Sequence, residues 1–224
     1  HAYGFHGLSY TFLLGALERT AGPVAARGRI VLAHLGSGSS LAAVRAGRSV
    51  DTTMTFTPTG GVVMSTRAGD LDPGLVAYLT RNERMTTDDV ERILTRESGL
   101  LGVSGTTGDM RILLEREEAD PAARLAVDIY CYRIRKTIGA YAAALSGLDT
   151  LVFSGGIGEH ASAVRARICD GLAFLGFEID AIRNGRHAAV ISTDHSDVVV
   201  RVIPTDEELV IARAAYRLLA PGQR

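Results

Sequence analysis

The chain has 224 residues, enough for one large domain with a sizeable buried core. Hydrophobic residues make up 46% of it, and its 24 basic and 25 acidic residues leave a net charge of −1. This composition argues against disorder and gives no electrostatic support for binding nucleic acid or a membrane surface. No apolar run reaches the roughly 18 residues of a membrane span.

The first part of the chain predicts a helix followed by an antiparallel meander. A loop rich in glycine and aromatic residues spans 1–10, and a helical pattern follows over 10–19. Three strands are then predicted, over 29–35, 40–45 and 48–53. Gly47 marks a tight turn between the last two. The segment 54–72 has no regular pattern, and a connection of that length is more often functional than idle.

Two later helices begin with the same signal. Asp72 and Asp120 are each followed by proline, which combines an N-cap residue with a proline at the first helical position. On the second helix, Leu125, Ile129 and Tyr132 recur at helical spacing and predict an apolar stripe. After residue 72, one helix is predicted to begin at Pro73, and others lie near 86–94, 109–117, 121–145, 162–175 and 206–219. Strands are predicted near 148–156, 176–180 and 198–203. This order indicates an α/β domain with a mixed sheet.

Acidic residues at the start of the last helix have different predicted roles. Thr205 and Glu208 fit the capping box T-x-x-E, in which each side chain bonds to the other residue's backbone. Asp206 lies in the first turn, where the helix dipole favours negative charge. This interpretation leaves Glu207 free. It follows a predicted strand, where carboxylates can hold Mg²⁺ together with water and phosphate oxygens.

Two glycine-rich segments are candidates for binding a phosphorylated ligand. Residues 36–40, GSGSS, join two predicted strands, and successive backbone N–H groups in such a turn can surround an anion. An ordinary polar hairpin tip is the alternative. Residues 154–160, SGGIGEH, lie between a strand and a helix. There a helix N-terminus favours anions, and glycines allow a flat ring to lie on the backbone.

The second glycine-rich segment also admits another function. Gly156, Gly158 and Ala161 fit G-x-G-x-x-A, and Glu178 lies 20 residues beyond Gly158, as in a dinucleotide-binding fingerprint. That motif normally opens its fold, whereas only about 63 residues follow it here. A dinucleotide-dependent oxidoreductase is therefore kept as an alternative.

Two further side chains are candidates for stabilising negative charge. Arg67 follows small residues in the long loop, and a guanidinium can bind carboxylate or phosphate through two hydrogen bonds. With Asp70 nearby, a surface salt bridge is the alternative. His6 lies between Phe5 and Gly7, so we expect its ring at a loop surface. As a cation or a hydrogen-bond donor it could stabilise a transferring phosphoryl group.

Seven segments together resemble the acetate kinase (acetokinase) family of the sugar kinase–actin superfamily, in family order. They are YGFHG at 3–7, AHLGSGSSLAAVRAGRSVDTTM at 33–54, VMSTRAGDLDP at 63–73, ESGLLGVSG at 97–105, DMR at 109–111, FSGGIGEH at 153–160 and IPTDEELVIAR at 203–213. The resemblance implies an actin-like ATPase (ribonuclease H-like) α/β fold, a mixed five-stranded sheet flanked by helices. It also implies that residues 1–224 form a single domain, the C-terminal nucleotide-binding lobe, and that the N-terminal lobe is absent. We therefore expect weak nucleotide binding and little turnover from the chain alone.

The resemblance also implies a reaction, ATP plus acetate giving ADP plus acetyl phosphate, and roles for individual residues. His6 and Arg67 match the residues that stabilise the phosphoryl group, and Glu207 matches the glutamate associated with Mg²⁺. Phe5 and Pro58 match residues lining a small acyl pocket. The implied positions contacting ATP or ADP are His34, Leu35, Gly36, Ser37, Gly38, Asp109, Met110, Arg111, Gly156, Ile157, Gly158 and Glu159. The first five would grip the phosphates, and the last four would contact adenosine.

Three positions depart from the family pattern. Tyr10 replaces a usual second histidine, Ser37 an asparagine and His160 an asparagine; we expect Tyr10 to cost packing or hydrogen bonding near its loop.

The resemblance further implies a homodimer and acetate or another short-chain carboxylate as acceptor. We expect a cytoplasmic protein with Cys131 and Cys169 as buried free thiols. A truncated, non-catalytic nucleotide-binding or dimerisation module is the remaining alternative.

Overall fold

A mixed five-stranded sheet forms the centre of the fold. The structure, a computed structural model, describes residues 2–219, so the ends of the predicted domain 1–224 lie outside the described residues. The strands are β1 (Arg29–Leu35), β2 (Ser39–Arg45), β3 (Arg48–Thr52), β4 (Thr150–Ser154) and β5 (Val199–Val202). Their order is β3-β2-β1-β4-β5, with β1 antiparallel to β2 and parallel to β4, and β4 parallel to β5. This confirms the predicted mixed five-stranded sheet.

Helices cover both faces of the sheet. They are α1 (Gly7–Arg27), α2 (Pro73–Arg81), α3 (Thr87–Arg92), α4 (Gly99–Ser104), α5 (Met110–Arg116), α6 (Pro121–Leu145), α7 (Gly155–His160), α8 (Ser162–Asp170), α9 (Ala181–Gly185) and α10 (Glu207–Leu219). A π-helical turn, Ile93–Glu97, continues α3, and a 3₁₀ turn, Ala173–Leu175, follows α8. Among the described residues, no helix combines the length and the apolar character needed to cross a membrane.

The two faces of β1 bury separate apolar clusters. Because side chains alternate along a strand, Val31, Ala33 and Leu35 join the larger cluster with α5, α6 and α8. Ile30 and Leu32 join the smaller cluster with α1. Every residue of β4 is buried, as expected for a central strand covered on both faces. The sheet therefore holds the carboxyl ends of β1 and β4 rigidly side by side.

Local signals in the sequence explain several element boundaries. The predicted tight turn at Gly47 is found, and Ala46 and Gly47 both have positive φ, 52° and 73°, as in a two-residue type I′ turn. Asp72 accepts a hydrogen bond from Gly74 N at 2.7 Å, and Asp120 accepts from the amides at the start of α6. Both predicted N-caps are therefore confirmed.

The predicted capping box of α10 is wrong. Asp206, not Thr205, caps this helix, because its Oδ1 accepts from Leu209 N at 2.9 Å. The backbone N–H of Thr205 instead donates to Glu159 Oε1 at 3.3 Å. The helix therefore begins one residue later than the capping box requires, with Glu207 as its first residue and Glu208 exposed.

The predicted apolar stripe of α6 lies on the outer face of the helix. Leu125 and Tyr132 are 53% and 55% exposed, and Ile129 is only partly buried. The buried face consists of Ala123, Ala126, Val127, Tyr130, Cys131, Ile134, Ile138, Tyr141, Ala142 and Leu145. Alanines on that face let the helix approach the sheet closely. Spacing alone could not choose between two apolar stripes on one helix.

Other differences from the predicted elements have local causes. The first helix extends to Arg27, with a break at Gly22, whose φ is 85°, before Pro23. Residues 176–180 form no regular strand; within them only Ile179 makes an isolated bridge, to Ser192. The last predicted strand and helix are confirmed as β5 and α10. Helices α4, α7 and α9 were not predicted, because each is short and rich in glycine or loop-forming residues.

We expect Asp120→Ala to lower the free energy of unfolding by about 1 kcal/mol, because two amides at the start of the long helix α6 lose their acceptor. Urea denaturation followed by circular dichroism measures the change. Glu118→Ala, an exposed carboxylate two residues earlier, is the matched control and should change stability much less. Equal losses in the two variants would contradict the capping role.

Candidate active site

A cleft of about 1250 Å³ opens where β1 and β4 end. The carboxyl ends of parallel strands are where ligands bind in open α/β sheets. Its lining includes twelve of the residues predicted from the sequence: His6, His34, Gly36, Ser37, Gly38, Asp109, Met110, Arg111, Gly156, Ile157, Glu159 and Glu207. The structure thus brings the glycine–serine hairpin tip and the later glycine-rich segment to one cleft, although they are more than a hundred residues apart.

The hairpin tip between β1 and β2 forms one end of the cleft. Gly36 N donates to Gly38 O at 3.1 Å, which closes the tip into a tight turn. A Cβ added to Gly38 would lie 3.4 Å from Arg67 Nη1 and 3.6 Å from His6 Nε2. Arg67 and His6 therefore converge on the tip from two different segments of the chain. Leu35, by contrast, is fully buried and belongs to the core behind the cleft.

His6 is presented at the cleft from the start of α1, as expected. Its backbone is left-handed, with a φ of 58°, and its ring stacks on that of His34 with centroids 4.1 Å apart. Its Nδ1 lies 2.8 Å from Ser40 Oγ. Burial, helped by His34 and Arg67, lowers the pKa of His6 to about 4, although the charge of Glu207 opposes the shift. His6 is therefore neutral at neutral pH in this structure, which favours the donor role over the cationic one.

His34 and Tyr10 complete the polar surroundings of His6. His34 Nδ1 lies 2.9 Å from Ser9 Oγ, and burial lowers the pKa of this histidine as well. Tyr10 is buried with its hydroxyl hydrogen-bonded to Ser40 Oγ. Tyr10 is thus both packed and hydrogen-bonded at the position where a loss of packing or hydrogen bonding was expected.

Arg67 lies in a loop whose backbone is bonded to neighbouring elements. Its Nη1 donates to Pro58 O at 3.0 Å and contacts Met64 Sδ at 3.5 Å. It forms no ion pair with any residue in 2–219, so the surface salt bridge with Asp70 is not found. Gly99 packs against this loop so closely that a Cβ there would lie 2.2 Å from Met64 O. The positive charge of Arg67 is thus held in place without being neutralised.

The later glycine-rich segment is itself the short helix α7, not a turn. A Cβ on Gly155, which has a φ of 75°, would lie 2.7 Å from Leu35 O, so only glycine allows α7 to meet the end of β1. Glu159 Oε1 accepts from Gly155 N at 2.9 Å, and so fills the helix N-terminus. Gly158 is buried, whereas Gly156 has open space beside it.

Asp109, Met110 and Arg111 have three different surroundings. Asp109 is the N-cap of α5 and also pairs with Arg111 at 2.6 Å, which lowers the pKa of the aspartate. Met110 is buried in the core, although it borders the cleft. The Arg111 side chain is 85% exposed, so it is the member of this segment that can move toward a ligand.

The two predicted acyl-pocket residues are not brought together in the cleft. Phe5 lines a neighbouring groove of about 570 Å³ between α1 and β3. Pro58 is exposed and approaches the site through its carbonyl, which accepts from Arg67. Glu207, the first residue of α10, does line the cleft. No cluster of three or more histidine, cysteine, aspartate or glutamate side chains is found among the residues that the structure describes.

Arg165 is a structural element of the site that the sequence did not reveal. It is fully buried, and its guanidinium donates to five acceptors: Gly158 O, Glu159 O, Asn184 O, Asn184 Oδ1 and His187 Nδ1. None of these is a carboxylate, and burial lowers its pKa to about 10. Two of the acceptors are the last carbonyls of α7, so Arg165 fixes the end of the helix that Glu159 fixes at its start.

Comparison with known proteins identifies the family. The model of the acetokinase family matches residues 1–213. The chain belongs to the acetokinase family. Within it, the acetate kinase of Rhodopseudomonas palustris (strain TIE-1) is 50% identical over 223 residues, which are 99% of this chain and 56% of that protein. The propionate kinase of Citrobacter rodentium (strain ICC168) is 46% identical over 217 residues, 96% and 54% of the two chains.

Solved structures of family members agree with the fold. The crystal structure of Porphyromonas gingivalis acetate kinase matches with a TM-score of 0.93 and 38% identity over 98% of this chain and 56% of that one. A propionate kinase from Francisella tularensis matches with a TM-score of 0.89 and 38% identity over 95% and 54%. The chain spans about half the length of the curated relatives it matches. Membership in a kinase family removes the support for the dinucleotide-dependent oxidoreductase.

We expect Arg165→Met to lower the free energy of unfolding by about 3 kcal/mol, because it leaves buried carbonyls without donors. Amide hydrogen exchange of α7 should also accelerate. Arg135→Met is the matched control: Arg135 is partly buried and donates to Ile168 O and Arg167 O in α8, away from the cleft. It should destabilise less and leave exchange in α7 unchanged. Unchanged exchange in the Arg165 variant would contradict its role at the end of α7.

Proposed function

We propose that the gene product carrying this chain transfers a phosphoryl group reversibly between ATP and acetate or another short-chain carboxylate. The observation that supports this most is the convergence of His6 and Arg67 on Gly38 in a member of the acetokinase family. A hydrogen-bond donor, His6, and a permanent cation, Arg67, lie beside the turn at Gly38, and together they can stabilise the negative charge of a phosphoryl group during transfer. Curated relatives named as acetate kinases and propionate kinases support the acceptor class.

The two ends of the cleft suit the two ends of a nucleotide. The hairpin tip 36–38 offers small residues and the uncompensated charge of Arg67, which favours the phosphates. At the other end, the carboxylate of Glu159 already occupies the N-terminus of α7, which disfavours phosphate there. Open space beside Gly156 and the side chain of Ile157 suit the flat adenine ring instead. Arg111, on the α5 side of the cleft, can contact the nucleotide between these ends.

The chemistry requires no proton transfer. The acceptor carboxylate is ionised at neutral pH, so its oxygen can attack the γ-phosphorus directly while the bond from that phosphorus to the oxygen of ADP breaks. The protein therefore has to position the reactants and stabilise the negative charge on the phosphoryl oxygens. Arg67 does so as a cation, and neutral His6 does so as a hydrogen-bond donor.

The residues present fit a Mg²⁺ ion that arrives with the nucleotide. Of the carboxylates in the cleft wall, Asp109 and Glu159 bind backbone amides at helix N-termini, which leaves Glu207 as the candidate Mg²⁺ ligand. A Mg²⁺ ion commonly keeps several waters and binds one or two carboxylates plus substrate phosphates. The Thr205 hydroxyl in the same wall is buried and has no hydrogen-bond partner within 2–219, which is consistent with a role toward bound water or phosphate. When bound, Mg²⁺ would neutralise phosphate charge; Glu207 would hold it in place.

The remaining proposals rest mainly on the resemblance. Pro58, whose carbonyl holds Arg67, is proposed to border the acyl site, and Phe5 is proposed to contribute from its adjoining groove.

We also propose a homodimer, which the exposed Leu125 and Tyr132 on α6 support as an available apolar surface. Two buried free thiols, Cys131 and Cys169, support a reducing compartment, the cytoplasm.

A hydroxamate assay for acyl phosphate tests the proposed function. The complete gene product is incubated with MgATP and, in turn, acetate, propionate and butyrate; we expect acyl phosphate with at least one of them. Calorimetric titration should show binding of ADP and none of NAD. Binding of ADP without turnover of any carboxylate would favour the non-catalytic nucleotide-binding module. NAD binding without ADP binding would overturn the kinase assignment.

We expect Arg67→Ala in the complete gene product to lower kcat at least ~100-fold, because the transition state loses its cation. Steady-state kinetics with MgATP and the preferred carboxylate measure the loss. Arg81→Ala, at the exposed end of α2, is the control and should retain the rate of the unmodified protein. An unchanged kcat in the Arg67 variant would reduce this arginine to a structural residue of its loop.

A further inference from the structure

A continuous row of polar atoms connects the core to the cleft. The hydroxyl of Tyr10 is hydrogen-bonded to Ser40 Oγ, and Ser40 Oγ lies 2.8 Å from His6 Nδ1. Ser40 is fully buried at the start of β2, and Tyr10 is buried in α1. His6 lines the cleft, and the other nitrogen of its ring, Nε2, faces the hairpin tip at Gly38.

The number of available hydrogen atoms determines which groups donate and which accept in these hydrogen bonds. The Tyr10 phenol has one hydrogen, and burial raises its pKa, so it stays protonated. If His6 donated from Nδ1 to Ser40, one hydrogen would lack an acceptor among the described residues: the phenol hydrogen if Ser40 donated to Tyr10, or the Ser40 hydrogen if Ser40 accepted from both neighbours. A buried donor without a partner is costly. The favoured direction is therefore Tyr10 to Ser40 to His6 Nδ1.

We propose that Tyr10, acting through Ser40, fixes His6 in the tautomer that carries its hydrogen on Nε2. A neutral imidazole that accepts at Nδ1 must carry its hydrogen on the other nitrogen, because the hydrogen bond at one ring nitrogen determines the state of the other. Tyr10 is thus a positioning residue, and its departure from the histidine of the family pattern has a defined consequence. The proposal that the Nε2 hydrogen contacts a phosphoryl group rests on the proposed function. The assignment of the tautomer rests only on the hydrogen bonds of Tyr10, Ser40 and His6.

Nitrogen NMR tests the tautomer directly on the complete gene product labelled with ¹⁵N-histidine. The resonances of His6 are assigned with His6→Gln. We expect Nε2 in the protonated range and Nδ1 in the unprotonated, hydrogen-bond-accepting range at neutral pH. A His6 whose hydrogen resides on Nδ1 overturns the proposal, whether or not the protein shows kinase activity.

Tyr10→Phe removes only the hydroxyl that starts the row. The ratio of the two tautomers should shift toward Nδ1–H by about tenfold, the scale expected when one buried-donor penalty is removed. Ser40→Ala, which cuts the row in the middle, should also release the tautomer. If both variants keep the wild-type His6 resonances, the proposal is wrong. If Tyr10→Phe fails to fold, the wild-type spectrum and Ser40→Ala still decide the question.

A neighbouring pair supplies the matched control. The Tyr130 hydroxyl lies 2.9 Å from Ser39 Oγ, so Tyr130→Phe deletes another buried tyrosine–serine hydrogen bond one residue away on the same strand. It should lower the melting temperature but leave the His6 resonances unchanged. In a catalytically active protein, Tyr10→Phe should lower kcat severalfold with both KM values unchanged, whereas a purely structural role would lower stability alone. Inactivity of the unmodified protein would count against the proposed function but not against the tautomer.

Discussion

The parallel pairing of β1 with β4 is the constraint on which the site depends. It aligns His34 with Ser154, so the chain leaves both strands at the same edge of the sheet. From there β1 leads into the hairpin tip and β4 leads into α7, while β5, parallel to β4, leads toward α10 and Glu207. Three distant segments thus become walls of one cleft. A slip of one residue in this register would exchange the side chains of β1 between the two buried clusters and separate the tip from α7.

Charged side chains in this site mostly bind the backbone of the protein itself. Glu159 holds the start of α7 and the N–H of Thr205, and thereby connects the α7 wall with the segment that carries Glu207. Arg165 holds the end of the same helix. Because these charges are already engaged, they give precise walls but little attraction for a ligand. Arg67 differs from them: its partners are a carbonyl and a thioether, so its charge remains available.

The parts of the fold that were predicted depend on interactions close in sequence. The caps at Asp72 and Asp120 act within three residues, and the turn at Gly47 depends on two. The errors depend on distant contacts. Thr205 lost its capping role because its N–H meets Glu159, which is 46 residues away. Arg165 bonds mainly to carbonyls and an amide, and such partners leave no pattern in a sequence. Most residues of the cleft lining that were named in advance came from the family motifs, but neither their exposure nor the neutral state of His6 followed from those motifs.

The neutral state of His6 suits the proposed reaction, which runs in both directions. A second cation in this partly buried position would be poorly solvated, and His34 and Arg67 would repel it, which is why the pKa of His6 falls. The proposed phosphoryl transfer from ATP to a carboxylate moves negative charge without changing its total, so the fixed cation of Arg67 need not favour either side strongly. The transition state differs from both ground-state complexes in the negative charge on the oxygens of the phosphoryl group that is being transferred. A fixed N–H at Nε2 can act there without adding net charge to the ground state of either complex.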